Sequence, residues 1–455
     1  MKNGKRSSFS GKLGYVLAAA GASVGLGNIW RFPYLAAKYG GGIFLIIYIV
    51  LALTFGYTMI VAETAIGRMT RKSPVGAFKS FGKKKWLSFG GWINAVIPVL
   101  IVPYYSVIGG WVIKYLVEYF RGNAKLLAED GYFTDFISNG VSTELCFVAF
   151  CAFTLIIIFA GVQNGIERVS KIMMPILIVL SVIIAVYSVT RPGALAGVKY
   201  FLVPNVKNFS WMTVVAAMGQ MFYSLSIAMG ILITFGSYMK KDTAIEDSTR
   251  NVEVFDTGIA IMAGLMIIPS VFAFSGGDPD TLQAGPSLMF ITIPKVFQNM
   301  GFGTVIGIVF FVLVLFAAVT SSIALTESAV STFEDELGWG RKKATVLVGV
   351  IMLALGSLSS LGYGPLAGIK IIGMQFLDLF DFLTNSVMMP IAALLTSLLV
   401  SRVVGIDKIE EEIIHGESAF RRKKVFVVMI KYLCPVFAII ILLSSVANAL
   451  GWIKM

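Results

Sequence analysis

Apolar runs of about 20 residues or more recur along the chain, separated by short polar segments. They lie at 13–38, 42–67, 88–120, 143–161, 166–190, 211–239, 251–275, 301–333, 342–361, 371–401 and 425–451. A helix needs about 20 apolar residues to cross the hydrocarbon core of a bilayer. The pattern therefore predicts an all-α integral membrane protein with eleven transmembrane helices. Several runs are longer than a straight crossing requires, which predicts tilt or bending. The longest polar stretches, 121–142, 191–210, 275–300 and 402–424, read as loops with short surface helices, and no soluble domain is left over.

Charge then orients the helices. With the N-terminus in the cytoplasm, the inner segments hold Lys2, Lys5, Arg6 and Lys12, then Arg68, Arg71, Lys72, Lys79 and Lys83 to Lys85. Further along they hold Lys240, Lys241, Arg341 to Lys343, Arg402 and Arg421 to Lys424, while the opposite loops are poor in basic residues. This matches the positive-inside rule and predicts a multi-pass protein of the cell membrane with its C-terminus outside. The composition agrees: 57% of residues are hydrophobic and 14% charged, against about 25% charged in ordinary globular domains. The net charge of +12 sits in scattered short loops and not on one face, which argues against a nucleic-acid partner. No obligate protein partner is evident. The first apolar run is too long for a signal-peptide core, so residue 1 reads as the start of the mature chain. Cys146, Cys151 and Cys434 have no disulfide or zinc spacing, and His415, the single histidine, lies in a polar loop.

Two runs are built differently. Residues 21–33 read "GASVGLGNIWRFP", with three glycines, an asparagine and an arginine; residues 219–230 read "GQMFYSLSIAMG", with Gln220, Ser224 and Ser226 at membrane depth. They open corresponding halves five helices apart, which is how an inverted-repeat transporter marks its binding site. Five is odd, so the half at 211–402 must be inverted relative to the half at 13–190, with 425–451 as an additional helix. An opened helix inside a membrane leaves N–H and C=O groups without partners unless they bind something. Free N–H groups suit a carboxylate, and freed carbonyls suit Na⁺ or an ammonium. Asn28, Ser224, Asp256, Thr320 and Ser321 add side-chain oxygens within apolar runs, and oxygen-only sites favour hard cations. Plainer readings exist: small and hydroxylated residues also mediate helix packing in membranes. An intramembrane acid such as Asp256 is a functional candidate by default. The glycines lack the G-x-G-x-x-G spacing and a preceding strand, and no nucleophile–base pair or metal cluster suggests an enzyme. An ion channel would need a filter or a ring of like charges; the broken pair in one chain favours a carrier. Counter-transport stays open.

"GASVGLGNIWRFPY" followed by "GGGIFLIIYIV" resembles the first-helix signature of the neurotransmitter:sodium symporters, whose architecture is the LeuT fold. The resemblance continues through "AETAIGR" (62–68), "PYYSVIGGW" (103–111), "GQMFYSLS" (219–226), "TSSIALTESAVSTFEDEL" (320–337) and "DLFDF" (378–382), and so spans nearly the whole chain in order. It is strongest to bacterial amino-acid carriers of the family. The resemblance implies a sodium-coupled symporter of neutral, hydrophobic L-amino acids working by alternating access. A carrier of another small amine or zwitterion is the alternative. Two Na⁺ sites are implied and no organic cofactor. One sodium would use the Ser23 carbonyl, Asn28, Ser224, Asp256 and the substrate carboxylate. The other would use the carbonyls of Gly21, Val24 and Ala317 with the hydroxyls of Thr320 and Ser321. The substrate carboxylate would meet the amides of Leu26 and Gly27 and the hydroxyl of Tyr105. Its ammonium would meet carbonyls of Ser23, Tyr223 and Ser224 and the Ser226 hydroxyl. Ile101, Tyr105, Tyr223, Met229, Ser321 and Leu325 would line the side-chain pocket. Arg31 and Asp381 would gate the outer side above Tyr105 and Tyr223; Arg6 and Asp335, near Tyr238, would gate the inner side.

Three features depart from the family pattern. Asp256 stands where chloride-dependent members carry asparagine, which predicts chloride independence. Ala228 stands where glycine is frequent, and its methyl would narrow the pocket, whereas the adaptable thioether of Met229 would widen its tolerance. Gly165 and Pro175 would let the inner half of the fifth helix unwind, or Pro175 would make only a static kink.

Overall fold

The computed structural model describes residues 7–276, 285–449 and 451–452, and every element among them is helical. The long helices are α1 (Lys12–Ser23), α2 (Gly27–Lys38), α3 (Gly42–Thr70), α4 (Lys85–Phe120), α5 (Gly140–Phe159) and α6 (Val162–Val189). They continue with α7 (Trp211–Ser224), α8 (Ile231–Tyr238), α9 (Ile245–Ser275), α10 (Gly303–Leu337), α11 (Arg341–Leu361), α12 (Phe376–Val404) and α13 (Lys423–Ala449). Nine of these are individually long and apolar enough to cross a membrane among the described residues, and ten if the bent pair α1–α2 counts as one span. The run at 211–239 is not among them. It is divided between α7 and α8, and neither piece alone reaches the length of a crossing.

A chain in hydrocarbon must satisfy each backbone polar group internally, which makes helix the default for all these apolar runs. Pro98 and Pro103 are absorbed within α4, and Pro175 within α6. Gly165 lies in a π-helical turn that continues into the rest of α6, so the fifth helix is wound throughout in this structure.

The divided segments sit centrally. The α1 helix packs against α6, α9 and α10, α7 against α3, and α8 against α3 and α10, while α4 lies along α10. The approach of α8 to α3 is close enough to require glycine. A Cβ on Gly67 would fall 2.0 Å from the Ile233 carbonyl, and one on Gly236 would fall 2.4 Å from that of Thr64. Small residues that let helix backbones touch are the usual cement of membrane bundles, where no hydrophobic force distinguishes a helix from lipid.

Candidate functional site: two facing helix breaks

The first break follows Ser23. Val24 leaves helical geometry (φ −76°, ψ 91°) while its amide still donates to the Ala20 carbonyl at 2.7 Å. The chain resumes at Gly27 as a π-helical turn through Arg31, and the axis bends by 53° across the break. Asn28 folds back, its Oδ1 accepting from the Gly25 amide at 3.2 Å.

The second break spans Leu225 to Gly230. Ser226 (φ 52°) and Ala228 (φ 57°) occupy the left-handed region together with Gly230 (φ 71°). For residues with a Cβ this costs roughly 1–2 kcal/mol each, so surrounding contacts must hold them there. The Ser226 hydroxyl donates to the Ala22 carbonyl at 2.9 Å, joining one break to the other. The Ala228 amide donates to Oε1 of the fully buried Glu63 at 2.7 Å. Gln220 adds a further tie, from Nε2 to the Gly27 carbonyl at 3.0 Å.

Oxygen atoms gather at two places beside these breaks. At the first, Asn28 Nδ2 donates to Ser224 Oγ (2.8 Å) and to Asp256 Oδ1 (2.8 Å), and Ser224 Oγ donates to the same Asp256 oxygen (2.8 Å). Tyr48, from α3, donates to Asp256 Oδ2 at 2.8 Å and lies 3.0 Å from Ser224 Oγ. Asn28 and Asp256 are wholly buried, and Ser224 nearly so. At the second place, Ser321 Oγ lies 3.2, 3.1 and 3.4 Å from the carbonyls of Gly21, Ala22 and Val24. Thr320 Oγ1 is 3.2 Å from the Ala317 carbonyl one turn earlier on α10. Each cluster joins groups far apart in sequence, and the second gathers around carbonyls at the first break.

Between them lies a small cavity of about 30 Å³. Its lining includes Ser23, Leu26, Gly27, Ile101, Tyr105, Tyr223, Ser226, Met229, Ser321 and Leu325. The Leu26 amide donates to the Tyr105 hydroxyl at 3.2 Å. Gly27 is needed here, since a Cβ would fall 2.3 Å from the Tyr223 ring. Ala228 is not in the lining; its amide is turned to Glu63, so its methyl is not what limits the space. The volume holds about two waters at 10–15 Å³ each, and an amino acid would have to push the lining outward.

Above Tyr223 a vestibule of about 530 Å³ opens, bordered by Trp30, Arg31, Tyr104, Tyr223, Asp378 and Asp381. Arg31 sits over the Tyr223 ring, 5.3 Å from its centroid. Asp381 accepts instead from Tyr104 (3.2 Å) and Asn385 (2.5 Å), and no ion pair joins it to Arg31 among the described residues. The opposite end is plugged. Phe9 is buried edge-on against Tyr15, Phe235 and Tyr238, with its amide donating to the Tyr238 carbonyl at 3.0 Å. The Tyr238 hydroxyl donates to Glu327 at 2.7 Å, and Glu327 accepts two bonds from Arg341. Asp335 accepts from the Ser73 amide at 2.7 Å, and Arg6 lies outside the described residues.

The sequence reading had no role for Tyr48, Glu63, Phe9 or the Glu327–Arg341 pair. Glu63 carried a usable signal, being an acid in mid-membrane. Tyr48 carried none, because a tyrosine in an apolar run is ordinary.

The family model of the sodium:neurotransmitter symporter family matches residues 6–128 and 134–452. An uncharacterized sodium-dependent transporter of Bacillus subtilis, YhdH, is 34% identical over 450 residues, covering 98% of this chain and 99% of its own. The human sodium- and chloride-dependent GABA transporter 2 is 27% identical, covering 90% of this chain and 75% of its own. Among solved structures, the crystal structure of MhsT in complex with L-phenylalanine aligns with a TM-score of 0.87 and 34% identity, over 97% of this chain and 100% of that one. The chain is therefore a sodium-dependent transporter with a LeuT-like fold and belongs to the sodium:neurotransmitter symporter family.

Proposed function

We propose that the protein couples inward Na⁺ flow to the uptake of neutral, hydrophobic L-amino acids, without a requirement for chloride. The observation that carries this reading is the pair of oxygen clusters flanking one cavity at two facing helix breaks. In the proposal, α1–α2 and α7–α8 are two interrupted spans, which brings the number of crossings to eleven. Residues 13–190 and 211–402 form two inverted repeats, and α13 follows them. The N-terminus is cytoplasmic and the C-terminus external, as the distribution of basic residues supports.

The amides of Leu26 and Gly27 and the Tyr105 hydroxyl receive the substrate carboxylate. The carbonyls of Ser23, Tyr223 and Ser224 and the Ser226 hydroxyl receive the ammonium. One Na⁺ takes the Ser23 carbonyl, Asn28, Ser224, Asp256 and the substrate carboxylate. That shared oxygen makes ion and substrate bind together, which is the physical basis of coupling. The second takes the carbonyls of Gly21, Val24 and Ala317 with Thr320 and Ser321, clamping α1 to α10. Around a hydrophobic side chain stand Ile101, Met229 and Leu325, and Met229 can adapt to different shapes. Arg31 and Asp381 close the vestibule once the substrate is seated, while Arg6 and Asp335 beside Tyr238 separate when the inner side opens. MhsT, solved with L-phenylalanine, supports the substrate class. Asp256 supplies a fixed negative charge beside the first sodium, which is the role chloride would otherwise fill. Two Na⁺ with a zwitterion move two charges, worth about 4.6 kcal/mol per 100 mV, or over a thousandfold accumulation.

Equilibrium binding of labelled L-leucine to the purified protein, competed by other amino acids and simple amines, tests the assignment. Sodium-dependent binding displaced best by hydrophobic L-amino acids is expected. Binding indifferent to sodium, or displaced equally by amines without a carboxylate, contradicts it.

A further inference from the structure

On the face that carries most of the basic loops, Lys83, Lys84 and Lys85 follow one another between the short helix Pro74–Lys79 and the start of α4, and all three are exposed. Their positive charge is not answered inside the protein. Of the acids near this corner, Glu336 is taken by Lys79 at 2.7 Å and Asp335 accepts from the Ser73 amide. No ion pair engages Lys83, Lys84 or Lys85 among the described residues, and the first turn of α4 contains no acid. Three adjacent like charges repel one another, and a soluble surface would intersperse them with carboxylates.

The neighbouring turns of α4 show what the lysines face. Phe89 is 56% exposed and Trp92 is 40% exposed, one helical turn apart, and the half-buried Val96 extends the same stripe. Gly90, Gly91, Ile93 and Asn94, on the other side of the helix, are buried against the protein. An exposed apolar stripe on a helix apolar enough to span a membrane suits hydrocarbon, and aromatic rings at such a helix end suit the headgroup boundary. Lys79 already leans over the Trp92 ring, 5.8 Å from its centroid. At 1.5 Å rise per residue, Lys84 lies about 12 Å along the helix axis from Trp92. That places its ammonium among headgroups and beyond the acyl chains.

We infer that Lys83, Lys84 and Lys85, above the Phe89–Trp92 stripe, form a binding surface for anionic phospholipid headgroups of the leaflet on that side. The lysines engage the phosphodiesters, and the rings hold the upper acyl chain. Each lysine near an anionic surface strengthens attraction about fivefold, so three give a preference on the order of a hundredfold over a zwitterionic lipid.

The test is thermal unfolding of the full chain in neutral detergent, titrated with short-chain phosphatidylglycerol, phosphatidylcholine of the same chain length, or inorganic phosphate. The wild type should be stabilised at much lower concentrations of phosphatidylglycerol than of phosphatidylcholine, and about 0.5 M salt should erase the difference. Phosphate alone should do nothing. K83Q/K84Q/K85Q should reduce the preference at least tenfold, while K83R/K84R/K85R should keep it. Equal stabilisation by both lipids, an unchanged preference in the glutamine variant, or a full effect of phosphate alone each overturns the inference. A measurement without substitutions stands beside it. In vesicles of phosphatidylcholine, a brominated phosphatidylglycerol should quench tryptophan fluorescence more per mole than a brominated phosphatidylcholine. Equal quenching contradicts the site.

Discussion

Replacing Asp256 by asparagine keeps its shape and removes its charge. The carboxylate accepts from Asn28, Ser224 and Tyr48, each at 2.8 Å. In the variant one oxygen can still face Asn28 and Ser224. The new NH₂ group then meets the Tyr48 hydroxyl, which can turn and donate to Ser224 Oγ, 3.0 Å away. The structural cost is thus about one hydrogen bond, roughly 1 kcal/mol. The cost to sodium is larger. Two unit charges about 4 Å apart at an effective dielectric constant of 20 attract by about 4 kcal/mol, roughly 700-fold in affinity. A neutral amide oxygen returns part of this, so apparent sodium affinity should fall by between about tenfold and 700-fold. If Asp256 stands in for chloride, D256N should also become chloride-sensitive. The assay is substrate binding as a function of sodium, with chloride or gluconate as the anion. Wild type should be indifferent to the anion, and D256N should recover sodium affinity only with chloride. Strong chloride activation of the wild type, or a D256N sodium curve overlying the wild type, refutes the reasoning.

Two other substitutions probe separate parts of the site, and a third probes the fold. In S321A the Gly21, Ala22 and Val24 carbonyls lose the hydroxyl beside them; sodium affinity should drop about tenfold, or roughly 1.4 kcal/mol, and an unchanged sodium titration would remove Ser321 from the second site. G27A places a methyl against the Tyr223 ring. Overpacking costs about 1–3 kcal/mol, to be read as weakened binding of labelled amino acid, and binding at wild-type strength would show that the cavity has slack. R68A addresses the fold instead. Arg68 is fully buried and bonds the Glu412 carboxylate at 2.6 Å as well as the carbonyls of Thr243 and Glu412. Because Lys241 still neutralises Glu412, the loss should be about 3 kcal/mol, at the low end for a broken buried pair. It should appear as a lowered thermal midpoint with sodium dependence intact.

Membrane helices advertise themselves through unbroken apolarity, so the ends of α3 to α6, α10, α11 and α13 fall within about four residues of the runs read from sequence. The breaks were legible for a related reason: polar residues and clustered glycines at membrane depth need an explanation, and Gly21 to Arg31 and Gln220 to Gly230 supplied such clusters in corresponding positions of the two halves. The supports of those breaks were not legible. Tyr48 is an ordinary tyrosine in an apolar run, and Glu63, though conspicuous as an acid at membrane depth, does not reveal its partner; their bonds to Asp256 and the Ala228 amide depend on packing between distant segments. The position of Arg31 was also beyond the sequence. A charge opposite an acid reads as a pair, yet in this structure the guanidinium lies over Tyr223 and the acid bonds Tyr104 and Asn385.

The central claim is that a sodium gradient alone drives a hydrophobic amino acid uphill through this site. The direct measurement is uptake of labelled L-leucine or L-phenylalanine into proteoliposomes with an imposed inward sodium gradient and proton gradients collapsed. The account predicts saturable accumulation above equilibrium that disappears when sodium is equal on both sides. Equal uptake with and without the gradient, or flux that never saturates, would contradict it.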